Sequence, residues 1–336
     1  MSVFQYALGA VLPMVLEILL GYWLHRAKVL PASFFSDGKK LAYKLLIPAA
    51  IFQNIYAVKD LSEFVPSFGF FIFIAIFLLF FLSLATAFAF FSDPKKRGVV
   101  GQVGFRSNFS IIAMPLAQAL GGAGGAAVTG IVSIIVIPEV NILSTVALTL
   151  FQKEHGKRPS VKKILWDIIK NPMVVASILA SVCLLLRTAI PLRPNGTSVF
   201  SLSGTFPSVY SVIAAMAKIS GPFSLLMLGG SLKVHDFSAN KKELSLCVFL
   251  RLVLAPLIVI LGAVLLEKVG ILRFGAAEYT CIVGVFASPL AVAAGVMSAQ
   301  MGGDGDFADQ VIVLTTVFSA FTVFGFAYAL RFFSLI

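Results

Sequence analysis

The stretch Gly104-Phe105-Arg106-Ser107-Asn108-Phe109-Ser110-Ile111-Ile112-Ala113-Met114-Pro115-Leu116-Ala117 decides the fold, because its last three residues return as Pro289-Leu290-Ala291, 174 positions later. Both copies stand inside long apolar windows. A proline there lacks an N–H and clashes with the carbonyl four residues back, so Pro115 is expected to free Ile111 and Pro289 to free Val285. In hydrocarbon, such freed groups are tolerated only inside protein or beside a cavity. Interrupted helices at corresponding places in two halves of a chain point to a transport site. Each interruption also makes a half-helix N-terminus, whose partial positive charge favours an anion. For either proline alone, a kink without function is an equally good account. The pairing of Lys44 and Pro48 with Lys218 and Pro222 at the same offset supports related halves, and glycine-rich runs, 121–125 and 302–305, follow both Pro-Leu-Ala copies. Pro13, Pro66 and Pro138 have no such partner.

The composition around this stretch is that of a chain solvated by lipid. Of 336 residues, 59% are apolar and 12% charged, too little polar surface to cover a water-soluble globule. The net charge of +11 does not indicate nucleic acid, since the 32 Phe lie in apolar runs and are not interleaved with basic segments. Cys183, Cys247 and Cys281 are isolated in apolar segments and have neither disulfide nor metal spacing. The N-terminal apolar stretch has no basic flank or small-residue cleavage site and reads as a first span.

Apolar windows fall near 4–24, 40–58, 66–91, 99–120, 127–150, 172–190, 209–232, 244–266, 277–300 and 308–333. They lack the alternation a barrel needs, so an all-α integral membrane fold of ten transmembrane helices is expected. Alternate loops carry Arg26, Lys28, Lys39, Lys40, Lys95, Lys96, Arg97, Lys153, Lys157, Arg158, Lys162, Lys163, Lys233, Lys241 and Lys242, fifteen cations. The other side has six: Lys59, Arg187, Arg193, Lys268, Arg273 and Arg331. The richer side is cytoplasmic, which puts both termini outside the cytoplasm of a cell (inner) membrane protein. Residues 1–150 then form a first five-helix repeat, 151–165 a cytoplasmic linker loop and 166–336 a second repeat. Five is odd, so related halves are inverted, with broken helices crossing in spans four and nine.

Charges inside spans are costly and by default mark a pathway, a pair or a relay. Lys44, Arg106, Lys218 and Arg251 outnumber Glu17 and Glu139, which suits an anion. Lys44 lies near a span end and can snorkel, so Lys218 is the better ligand candidate. Arg106 can instead meet a helix C-terminus. Glu139, beside Pro138 and two residues before Asn141, reads either as a proton carrier or as the partner of Arg106 or Arg251. Gly303-Asp304-Gly305-Asp306 spells the GxGD string of an intramembrane aspartyl protease. Asp37, Asp60, Asp93, Asp167, Asp236 and Asp309 sit at span ends or in loops, so no second midspan Asp completes that site and a polar turn is the better reading. His25, His155 and His235 fall in loops, leaving no buried His for a base or a metal.

Several of these residues together resemble the auxin efflux carrier family, which includes plant auxin exporters and bacterial carriers assigned to malonate and similar anions. The resemblance runs through Gly104-Phe105-Arg106-Ser107-Asn108 with Pro115 seven residues after the Asn, Pro138 with Asn141, and Asn171-Pro172. It continues in Gly221-Pro222, Leu228-Gly229-Gly230-Ser231-Leu232, Arg251 before Pro256, and Ser288-Pro289. The long cytoplasmic loop of many plant members is absent, as in bacterial forms. What the resemblance implies is inverted repeats crossing at spans four and nine. Spans one, two, six and seven would form a homodimerising scaffold, and spans three to five and eight to ten a moving domain. Asn108 would bind the substrate carboxylate beside Pro115 and Pro289.

The expectation is therefore a non-enzymatic secondary carrier of a small organic anion, a carboxylate such as malonate or an auxin-like acid, with elevator-type alternating access. Asn108, Pro115, Asn141, Pro289 and Lys218 are the expected substrate contacts and Glu139 the proton-coupling candidate, without cofactor, metal or nucleic acid. The alternative is a sodium-coupled symporter of the bile-acid-transporter-like fold, for which midspan Asp ligands are missing.

Overall fold

The computed structural model describes residues 3–58, 61, 64–152, 159–190, 201–234 and 236–336. Lys59, Asp60, Lys153, His155, Lys157, Arg158, Arg193 and His235, named above, lie outside the described residues. All named elements are helical: α1 (Val3–Arg26), α2 (Ala32–Leu41), α3 (Ile47–Tyr56), α4 (Pro66–Phe90), α5 (Pro94–Val103), α6 (Met114–Leu150), α7 (Val161–Lys170) and α8 (Pro172–Ala189). The order continues with α9 (Leu202–Thr205), α10 (Pro207–Ser231), α11 (Asp236–Ala239), α12 (Lys241–Phe249), α13 (Ala255–Lys268), α14 (Ala276–Ala287), α15 (Val292–Gln300) and α16 (Gly305–Phe332). Among the described residues, six helical stretches are long and apolar enough to cross a membrane: 66–90, 111–150, 172–189, 207–231, 241–268 and 305–332.

The apolar windows near 40–58, 99–120 and 244–266 are subdivided by π turns, the window near 277–300 is interrupted between Ala287 and Val292, and glycines turn the chain between windows. The π turns go with proline. Five-residue π-helical turns occupy Ala42–Leu46, Phe109–Ala113 and Leu250–Leu254. Each ends two residues before a proline, Pro48, Pro115 or Pro256. A wider π turn accommodates the ring where an α turn would drive it into the carbonyl four residues earlier. Pro115 thus does not break its helix; it sits in the first turn of α6, just past the π turn.

Glycine shapes the turns between windows. Helix α6 runs for 37 residues, but Gly122 has φ 59° and ψ −146°, a conformation closed to residues with a Cβ. The chain therefore folds back there, and α6 is two helices joined at Gly122. Gly302, with φ 76°, makes the turn between α15 and α16. Asp304 caps α16 by accepting from Phe307 N at 2.9 Å, so the Gly-Asp-Gly-Asp string is a turn and helix start.

Helices α1 and α10 pack backbone to backbone: a Cβ on Gly21 would meet the Leu226 carbonyl, and one on Gly229 the Ile18 carbonyl. Small residues allow such close approach between membrane helices. The 151–165 linker is not loop throughout. Helix α7 begins at Val161, and Val161, Leu165, Trp166 and Ile169 on it are all exposed.

Candidate functional site

Two helices stop before the middle of their windows. Helix α5 ends at Val103 and helical structure resumes at Phe109; α14 ends at Ala287 and α15 starts at Val292. The intervening segments run antiparallel and pair, Ser107 opposite Leu290. Asn108 N donates to Pro289 O at 2.9 Å, and Ala291 N donates to Arg106 O at 3.1 Å. Each break thus meets main-chain groups that the other leaves unmade, which is how non-helical backbone is accommodated at depth.

The equal 174-residue offset does not register these breaks. Pro289 lies inside the second break, whereas Pro115 lies seven residues beyond Asn108 at the end of the first. The identical Pro-Leu-Ala strings do not occupy equivalent positions.

Arg251 holds both breaks. It is fully buried and donates through Nε to Ser288 O at 2.8 Å, through Nη1 to Gly104 O at 2.8 Å, and through Nη2 to Val285 O at 3.2 Å. These are the last carbonyls of two helices, which have no intrahelical donor and carry partial negative charge. Val285 is the carbonyl that Pro289 was expected to free.

Beside the paired breaks lies a cavity of about 450 Å³. One wall comes from α3 and α10, through Gln53, Lys218 and Ser224 among others; the other comes from the breaks and α6, through Arg106, Ser107, Asn108, Asn141 and Ala291. Among its described lining residues Arg106 and Lys218 are the charged ones, and none is acidic. The side-chain nitrogen of Asn108, the hydroxyls of Ser107 and Ser224, and Nε of Arg106 are buried there without a hydrogen-bond partner.

The structure brings Asn108, Asn141 and Lys218 together around this cavity, but the other expected site residues lie off it. Pro115 is carried past by the π turn, Pro289 offers its carbonyl to Asn108, and Glu139 does not line the cavity. Both carboxylate oxygens of Glu139 are buried and without a hydrogen-bond partner, so of its two readings the pairing with Arg106 or Arg251 is not formed. Asn141 has its amide engaged at both ends: Oδ1 accepts from Arg106 Nη2 at 3.2 Å and Nδ2 donates to Ile137 O at 2.9 Å. Asn171 is a helix cap, accepting from Met173 N at 2.9 Å and donating to Thr145 Oγ1 at 2.9 Å. Lys44 is exposed and off the cavity.

A buried ion pair was not anticipated. Lys39 on α2 meets Asp309 on α16 at 2.5 Å, with side chains 7% and 1% exposed. By sequence Lys39 is a loop cation and Asp309 a span-end residue, and nothing in their local sequence names them as partners 270 positions apart.

Apolar helices long enough to cross a bilayer, around a largely apolar cavity with two cationic lining residues at paired helix breaks, fit the class of multi-pass membrane transporters. The chain belongs to the membrane transport protein family of the auxin efflux carrier type, whose family model matches residues 6–327. No curated protein matches it.

Proposed function

We propose that the protein is a secondary carrier of a small organic anion, a carboxylate of the malonate or auxin-like kind. The observation that carries this reading is the cavity at the breaks, cationic in Arg106 and Lys218, free of lining carboxylates, and supplied with an unbonded amide nitrogen from Asn108. A neutral amide donates two hydrogen bonds to a carboxylate without a fixed charge that would impede release. The N-terminal end of α15, which begins at Val292 in the lining, adds favourable potential for negative charge.

The way the cavity is walled supports alternating access of the elevator kind. One wall belongs to α3 and α10, whose neighbours include α1 and α8; the other belongs to the paired breaks and α6. A body made of α4–α6 and α12–α16 would carry the anion past a scaffold of α1–α3, α8 and α10. Each half then contributes three spans, a broken helix and a last span, in inverted orientation across ten spans. This reading is supported by the order of the helices and the antiparallel pairing of the breaks.

Thermal stability of the purified protein with a carboxylate panel tests the ligand class, since a ligand for the folded state raises the apparent midpoint. Malonate or indole-3-acetate should raise it in a saturable way and their neutral amides should not. A response to the amides equal to that for the acids would overturn the anionic assignment.

A further inference from the structure

Arg106 and Arg251 are both buried, 2% and 0% exposed, but they are satisfied in different ways. Arg251 spends its three nitrogens on three main-chain carbonyls. Arg106 has poorer company. Its Nη1 reaches the sulfur of Met297 at 3.3 Å, its Nη2 reaches Asn141 Oδ1 at 3.2 Å and the sulfur of Met173 at 3.6 Å, and its Nε has no acceptor. Thioether sulfur is a weak acceptor. A buried guanidinium with one amide oxygen and two sulfurs lacks the counter-charge that normally offsets its desolvation.

The missing acceptor has a place to bind. Arg106 lines the cavity together with the next two residues, whose Ser107 hydroxyl and Asn108 amide nitrogen are likewise buried in its wall without partners. Three consecutive residues of one break, all in the cavity wall, thus hold buried donors without partners, one of them charged, beside a space free of lining carboxylates. A carboxylate offers two oxygens and about four lone-pair directions, enough to meet all three.

Building on the carboxylate reading above, we propose that Arg106 is the charged anchor of the transported anion. Its guanidinium makes a charge-assisted hydrogen bond to one carboxylate oxygen, with Ser107 and Asn108 on the same group. Asn141, whose amide oxygen holds Nη2, is the positioning residue that fixes the guanidinium. The structural alternative, in which Arg106 merely ties the break to α6, accounts for the Asn141 bond but not for the empty Nε beside two other empty donors.

The test is malonate binding to the full-length protein in detergent, followed by calorimetry, with malonamide as the uncharged probe of similar shape. Wild type should bind malonate and reject malonamide. Arg106→Gln should weaken malonate at least about thirtyfold, as expected when one partner of a buried charged pair is truncated. It should also lose the discrimination against malonamide, whereas Arg106→Lys, which keeps the charge, should retain that discrimination. A folded Arg106→Gln protein that binds malonate as wild type does would overturn the anchor and leave the carrier reading standing. If wild type binds neither malonate nor indole-3-acetate, the carboxylate reading falls and the anchor with it. Should Arg106→Gln not fold, the structure of the wild type with malonate decides. A carboxylate within hydrogen-bond distance of the guanidinium supports the proposal, and malonate bound elsewhere overturns it.

Discussion

At the residue scale, Arg251 shows how a cost that sequence can detect becomes a contact that sequence cannot name. A lone arginine inside an apolar window announces that something must offset its burial. Its acceptors are three carbonyls, each exposed only because a helix stops where it does. Asn108 was named by the family resemblance and its place before Pro115, and it does line the cavity. Glu139 was legible as a buried carboxylate, but its place off the cavity depends on helix rotation, which a one-residue difference in register changes by about 100°. Replacing Arg251 by Gln would leave at least two terminal carbonyls buried and unbonded. The expected loss is about 3 kcal/mol or more, since each unsatisfied buried group costs about 1–3 kcal/mol. The thermal unfolding midpoint of the purified variant checks this; a midpoint unchanged from wild type would show that Arg251 does not hold the breaks.

At the element scale, the windows located the helices but not how they are interrupted. Hydropathy is blind to the difference between an α turn and a π turn, so the repeated spacing of a π turn two residues before Pro48, Pro115 and Pro256 emerges only with coordinates. Pro115 was consequently read as the break itself. The glycine-rich run 121–125 is visible in the sequence, but which of its glycines turns the chain depends on φ. Gly122 is the one, and a Cβ placed on it meets nothing within 4 Å. Substitution there isolates backbone strain from packing. Gly122→Ala should destabilise the protein by roughly 1–3 kcal/mol, the cost of a non-glycine residue in a sparsely populated region. Gly124→Ala, close only to the Ala277 methyl at 3.7 Å and without a positive φ, is the matched control and should change little. Equal effects in thermal unfolding would mean that the fold-back does not depend on the conformation of residue 122.

At the scale of the whole molecule, lipid solvation and the succession of apolar windows were readable from composition, because neither depends on which helix touches which. The long-range contacts were not: the Lys39–Asp309 pair and the cavity join residues scattered across both halves of the chain. The central claim is that this cavity loads a carboxylate and carries it across a bilayer. Uptake of radiolabelled malonate into proteoliposomes tests it most directly, with initial rates measured against malonate concentration for wild type, Asn108→Ala and Glu139→Gln. Wild type should show saturable uptake. Asn108→Ala should need roughly tenfold to a hundredfold more malonate for half-saturation, the equivalent of losing about 1.5–3 kcal/mol from hydrogen bonds to a charged group. Glu139 is tested as a proton carrier in the same assay: in that role, motivated by its buried and unbonded carboxylate, wild-type uptake should respond to an imposed pH gradient and Glu139→Gln uptake should not. Wild-type uptake that saturates at the same concentration as Asn108→Ala, or uptake no greater than in protein-free liposomes, would contradict the account.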